Sequence, residues 1–131
     1  MAAIEADGLG SVAAAILVRW FSPAFHQTRA AELAGWRNML TRTPPEGYLG
    51  CCAAIRDADL TAAARGIRVP TLCLVGDADG STPPALVGEL AALVPGGRLV
   101  TIAGAGHLPC VEQPDAVADA MLGFFEETDL G

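Results

Sequence analysis

From Gly8 to about Leu60 the apolar residues recur at helical spacing, and this pattern predicts a run of short helices. Gly10-Ser11 reads as the cap of a first segment carrying Ile16, Leu17, Trp20 and Phe21, which Ser22-Pro23 stops. A second helix, from about Thr28 to Thr41, places Leu33, Trp36, Met39 and Leu40 on one side. Pro44-Pro45-Glu46 opens a third, because proline is tolerated in the first helical turn, and Tyr48, Cys51, Cys52 and Ile55 share a face. A short run from Leu60 to Arg65 leads out of this part.

The pattern then changes to alternating strand and helix. Arg68 to Val75 is a short apolar run of the length and composition of a buried parallel strand, with Pro70 near its start. Thr82-Pro83-Pro84 begins a helix bearing Leu86, Val87, Leu90, Leu93 and Val94, and Pro95-Gly96-Gly97 ends it. Arg98 to Ile102 is a second strand, and Gln113-Pro114-Asp115 begins a last helix. The reading is an α/β chain: a helical region over residues 1–65, then a parallel strand–helix–strand–helix unit over residues 66–131. Two strands make an incomplete sheet.

Composition narrows the function classes. The chain has 131 residues, 52% of them hydrophobic, which is enough for one domain with a core and excludes a disordered chain. Its eight basic residues are all arginine and face fifteen Asp and Glu, for a net charge of −7. That balance argues against nucleic acid and against an anionic membrane surface. The apolar run Val12–Val18 is far short of the roughly 20 residues a membrane span requires. Cysteines 51, 52, 73 and 110 form no C-x-x-C pair, so reduced thiols in a cytoplasmic protein are expected, with no metal site.

Candidate chemistry lies in the loops that follow the two strands, where open α/β sheets place their ligands. Gly76-Asp77-Ala78-Asp79-Gly80-Ser81-Thr82 follows the first strand, and Gly104-Ala105-Gly106-His107 follows the second. Parallel neighbouring strands let an acid and a histidine from these loops meet. A carboxylate on one imidazole nitrogen fixes the tautomer and leaves the other nitrogen free as a base. Asp77 and Asp79 both compete for the acid role. His26, between two helices with no acid beside it, reads as structural.

Val69-Pro70-Thr71-Leu72 through Gly76-x-x-Asp79-x-x-Thr82-Pro83, with Gly104-x-Gly106-His107 and Glu112-x-Pro114, resembles the last third of an α/β-hydrolase. Arg19-Trp20-Phe21-Ser22-Pro23-Ala24-Phe25 and Thr43-Pro44-Pro45-Glu46-Gly47-Tyr48, continuing through Cys51-Cys52 to Leu60, resemble the cap of 3-oxoadipate enol-lactonases. The resemblance implies hydrolysis of a small anionic lactone by a Ser-His-Asp mechanism without cofactor or metal, with Asp79 as the acid and His107 as the base. Residues 1–65 would be the cap and residues 66–131 the C-terminal part of the core.

The family's G-x-S-x-G nucleophile motif does not occur. The serines are Ser11, Ser22 and Ser81, none of them in an elbow. The chain therefore reads as the acid-and-base half of such an enzyme, needing an N-terminal half for its nucleophile and oxyanion hole. An open strand edge and an uncovered cap would then favour a homodimer or a swapped assembly. For the substrate's carboxylate the candidates are Arg19 and Arg56, with Trp20 walling the pocket. Through Leu60 five arginines face six acids, closer to neutrality than the rest of the chain. Other capped hydrolases, such as haloperoxidases or C–C hydrolases, and a catalytically silent self-associating module are the competing readings.

Overall fold

The computed structural model describes residues 1–128. These divide into two compact units, one made of Met1–Val18 and Pro23–Asp59, the other of Arg19–Ser22 and the chain from Leu60 onward. Four residues from the end of an early helix thus group with the strand-bearing part.

The first unit is helical. It contains α1 (Ala2–Asp7), a 3-10 turn over Leu9–Ser11, α2 (Ala13–Trp20, whose last two residues belong to the other unit), α3 (Pro23–Thr28), α4 (Ala30–Arg42) and α5 (Pro45–Asp57). Its buried residues are Ile4, Leu9, Ala13, Leu17, Phe25 and Leu40. Pro23 ends α2 as the sequence suggests but also occupies the first turn of α3, where its fixed φ suits a helix start. The segment α1 went unread because Ile4 is its one large apolar residue and shows no periodicity. Ser11 does not act as expected. Its hydroxyl donates backward to the carbonyls of Gly8, at 2.7 Å, and Ala3, so it closes the preceding turn. The predicted face of α5 is not a buried one either: Ile55 is 77% exposed and Cys51 is exposed. Helical period marks a face, but burial requires an element to cover it.

The second unit carries α6 (Thr61–Arg65), β1 (Leu72–Gly76), α7 (Pro84–Leu93), β2 (Arg98–Ile102), α8 (Pro109–Glu112) and α9 (Pro114–Glu127). β1 and β2 pair in parallel, with Leu72 opposite Arg98 and Gly76 opposite Ile102. The strand starts later than its apolar run because Pro70 has no N–H for the ladder; pairing begins where Arg98 donates to the Thr71 carbonyl at 3.0 Å. Both α7 and α9 pack on the two strands. Buried here are Phe21, Ala64, Cys73, Val75, Ala91, Val94, Ile102, Ala105 and Phe124. Among the described residues β1 has one strand neighbour, so its other edge is unpaired. No described helix is long and apolar enough to cross a membrane.

Candidate active site

The site begins with two turns at the carboxyl ends of β1 and β2. Gly76 closes β1 where the two loops press together: a Cβ there would lie 2.1 Å from the Gly106 carbonyl oxygen and 2.2 Å from that of Ala105. Only a glycine fits this approach. Asp77 follows, and its Oδ1 accepts the main-chain N–H groups of Gly104, at 2.9 Å, and Ala105, at 3.3 Å. Gly104 takes a left-handed conformation (φ 72°) at that bend. Asp77 is therefore the residue that ties the loop after β1 to the loop after β2.

Asp79 is the second acid and is buried. Its Oδ1 accepts from the N–H groups of Ser81, at 2.7 Å, and Thr82, at 2.9 Å, a local turn of the kind aspartate side chains make. Its Oδ2 accepts from the Thr82 hydroxyl at 2.9 Å and lies 2.8 Å from His107 Nδ1. A carboxylate only accepts, so Nδ1 carries the hydrogen and Nε2 presents its lone pair. His107 is partly exposed, and its Nε2 makes no hydrogen bond among the described residues. The two loops thus bring Asp79 and His107 together and direct Asp77 elsewhere.

The same contacts set the charge. Burial alone would push the Asp79 carboxyl up. Hydrogen bonds from His107, from the Thr82 and Ser81 amides and from the Thr82 hydroxyl outweigh it and hold the group below the ordinary aspartate value. Asp79 is ionised at neutral pH and positioned to stabilise a protonated imidazole.

The segment Arg19–Ser22 flanks both loops. The His107 N–H donates to the Trp20 carbonyl at 2.8 Å. Arg19 and Gly80 exchange bonds, the Gly80 N–H reaching the Arg19 carbonyl and Arg19 Nε the Gly80 carbonyl, each at 3.2 Å. The terminal guanidinium nitrogens of Arg19 have no partner among the described residues, and Trp20 is half-buried. Arg56 lies in the helical unit, exposed and ion-paired with its neighbour Asp57 at 2.6 Å. That pair supplies the counter-charge of Arg56 locally. His26 is half-buried on α3 with Nε2 3.1 Å from the Leu17 carbonyl, a structural contact.

One residue emerges that the sequence marks only as part of a motif. Glu112, on α8, accepts from the Gly106 N–H at 2.7 Å and from the Ser22 N–H at 3.1 Å, and takes the Ser22 hydroxyl as well. It joins the histidine loop to the Trp20–Ser22 segment across ninety positions of sequence. Its spacing from His107 is the sole signal in the chain, since nothing local reveals which amides it meets. No cluster of three or more His, Cys, Asp or Glu suited to a metal ion occurs among the described residues. The Ser11 hydroxyl goes to the Gly8 carbonyl and the Ser22 hydroxyl to Glu112.

A parallel strand–helix–strand unit with an acid after one strand and a hydrogen-bonded histidine after the next is the tail of a hydrolase fold. The sequence model of the Alpha/beta hydrolase family matches residues 1–120, and the chain belongs to that family. It is similar to 3-oxoadipate enol-lactonase 1 of Acinetobacter baylyi, 31% identical over 93% of this chain and 46% of that protein. The enol-lactonase structure from Burkholderia xenovorans superposes with a TM-score of 0.89 at 34% identity, over 95% of this chain and 48% of that one. A non-heme haloperoxidase of Rhodococcus erythropolis is 36% identical over 70% of this chain and 33% of its own length. The chain spans about half the length of the enol-lactonases it matches.

Proposed function

We propose that this chain supplies the general base and its orienting acid to an enol-lactone hydrolase, with the nucleophilic serine provided by a separate stretch of polypeptide. The observation that carries the reading is the 2.8 Å contact from Asp79 Oδ2 to His107 Nδ1, with Nε2 left unbonded. Similarity to enol-lactonases along nearly the whole chain supports the choice of substrate.

In this mechanism a serine hydroxyl attacks the lactone carbonyl while His107 Nε2 takes its proton, and Asp79 stabilises the imidazolium that forms. Backbone N–H groups outside this chain would hold the oxyanion. The ring C–O bond breaks, the His107 imidazolium gives its proton to the leaving oxygen, and the resulting enol tautomerises to the ketone. Water then attacks the acyl-enzyme, giving a proton to His107, and His107 passes it to the departing serine oxygen as the acid product is released. The steps need no metal or cofactor. Arg19 has unpaired guanidinium nitrogens beside the acid loop, which suits it to the substrate's carboxylate, with Trp20 next to it as a pocket wall. Arg56 is proposed for the same role, in competition with its own Asp57.

The open edge of β1 is the proposed contact for the nucleophile-bearing half. In residues 1–131 taken alone that edge is open to a second copy, so this stretch is expected to self-associate; a clean monomer by light scattering at tens of micromolar removes that expectation. The test of function is hydrolysis of 3-oxoadipate enol-lactone, followed by ultraviolet absorbance, with the chain alone and with an upstream hydrolase half added. Turnover only on complementation, abolished by His107→Ala, supports the reading; no turnover in either case rejects it. The similarity to a non-heme haloperoxidase favours one second reading, another capped hydrolase of haloperoxidase-like type. Preference for neutral esters over the acidic lactone would select it.

A further inference from the structure

The geometry points to Glu112 as the positioning residue of His107: its carboxylate holds both the loop that carries the histidine and the Trp20–Ser22 segment that loop bonds, and so keeps the imidazole on Asp79. The inference rests on reading Asp79 and His107 as an acid–base pair.

The imidazole can face Asp79 only if the His107 backbone is fixed, because a side chain follows its Cα. Two bonds fix it. The His107 N–H reaches the Trp20 carbonyl at 2.8 Å, and the preceding Gly106 N–H reaches Glu112 Oε1 at 2.7 Å. The first of these holds only while the Trp20–Ser22 segment itself stays in place. That segment is also held by Glu112, through the Ser22 N–H and hydroxyl. One carboxylate therefore anchors the loop and the strip of chain against which the loop is hydrogen-bonded.

Packing leaves no slack for a substitute arrangement. A Cβ on Gly106 would lie 2.6 Å from the Trp20 carbonyl oxygen and 3.0 Å from Glu112 Oε1. The loop thus sits directly on the segment, with Glu112 closing the side. Among the described residues Glu112 has no ion-pair partner, and its partners are N–H and O–H donors arranged around a fixed acceptor. Charge-assisted bonds of this type are the strong ones and demand geometry.

The test is the protonation pattern of the His107 ring in the isolated 131-residue chain, read by histidine-selective 1H–15N NMR. Two histidines are present, so His26 serves as the internal reference. In the wild type His107 is expected as the Nδ1–H tautomer with a slowly exchanging Nδ1 proton. Glu112→Ala should lose that proton signal and give a tautomer mixture, Glu112→Gln should retain part of it, and His26 should not move. Should Glu112→Ala fail to fold, Glu112→Gln, which conserves size, decides the matter. A folded variant with the wild-type His107 signal overturns the inference while leaving the Asp79–His107 pair intact. Absence of the Nδ1 proton signal in the wild type overturns both.

Discussion

The main-chain N–H of His107 donates to the carbonyl of Trp20 at 2.8 Å. Together with the Arg19–Gly80 and Ser22–Glu112 bonds, it ties the four residues Arg19–Ser22 to the strand-bearing unit rather than to the helix they end. The same segment sets the Arg19 guanidinium beside the loop that carries the acid, its Nε on the Gly80 carbonyl.

With an upstream half supplied, His107→Ala or Asp79→Asn should lower turnover roughly a thousand- to ten-thousand-fold, the scale on which triad members act. Initial rates on 3-oxoadipate enol-lactone measure this. Near-normal rates in either variant would remove the acid–base assignment.

Asp77→Ala should behave differently from Asp79→Asn. Asp77 bonds two backbone amides and does not reach His107, so its loss should cost about 1–3 kcal/mol of stability, because the amides lose an ionised acceptor. At a temperature where the variant is folded, kcat should stay within a few-fold of wild type. Urea melts paired with initial rates make the comparison.

Acid should weaken the fold through Asp79. Its folded-state pKa lies below the unfolded value of about 3.9. The carboxylate therefore adds stability that is present above that value and is lost as pH falls toward the folded pKa. Melting temperature should drop below about pH 4, and the gap between wild type and Asp79→Asn should close over the same range. A gap independent of pH would contradict the assignment.

Gly76→Ala should destabilise by about 1–3 kcal/mol or more, since its Cβ would run into two backbone carbonyls that cannot move as side chains do. Thermal unfolding should show a loss of several degrees. Gly123→Ala, where a Cβ meets nothing within 4 Å, is the control and should be neutral or slightly stabilising.

Arg19→Ala and Arg56→Ala separate the two carboxylate candidates in the complemented enzyme. Arg19 should raise KM several-fold with a smaller change in kcat. Arg56, already paired with Asp57, should do less. Unchanged KM in both variants would end the carboxylate assignment.

The helices α4, α5, α7 and α9, the parallel strand pair and the loops that carry Asp79 and His107 were legible in the chain, because each rests on local rules: period, proline placement, and apolar runs bounded by glycine. Asp79 and His107 were legible because their loops follow successive strands. Tertiary structure decided the rest. It gave the physical reason for the acid that the family resemblance singles out: Asp79 reaches the imidazole, whereas Asp77, its competitor by local pattern, bonds the Gly104 and Ala105 amides. It left the marked face of α5 exposed, because periodicity cannot supply a partner surface. It turned Ser11 back onto Gly8, and it gave Glu112 its work. Such contacts join residues as far apart as Ser22 and Glu112, and no local pattern of side chains records them.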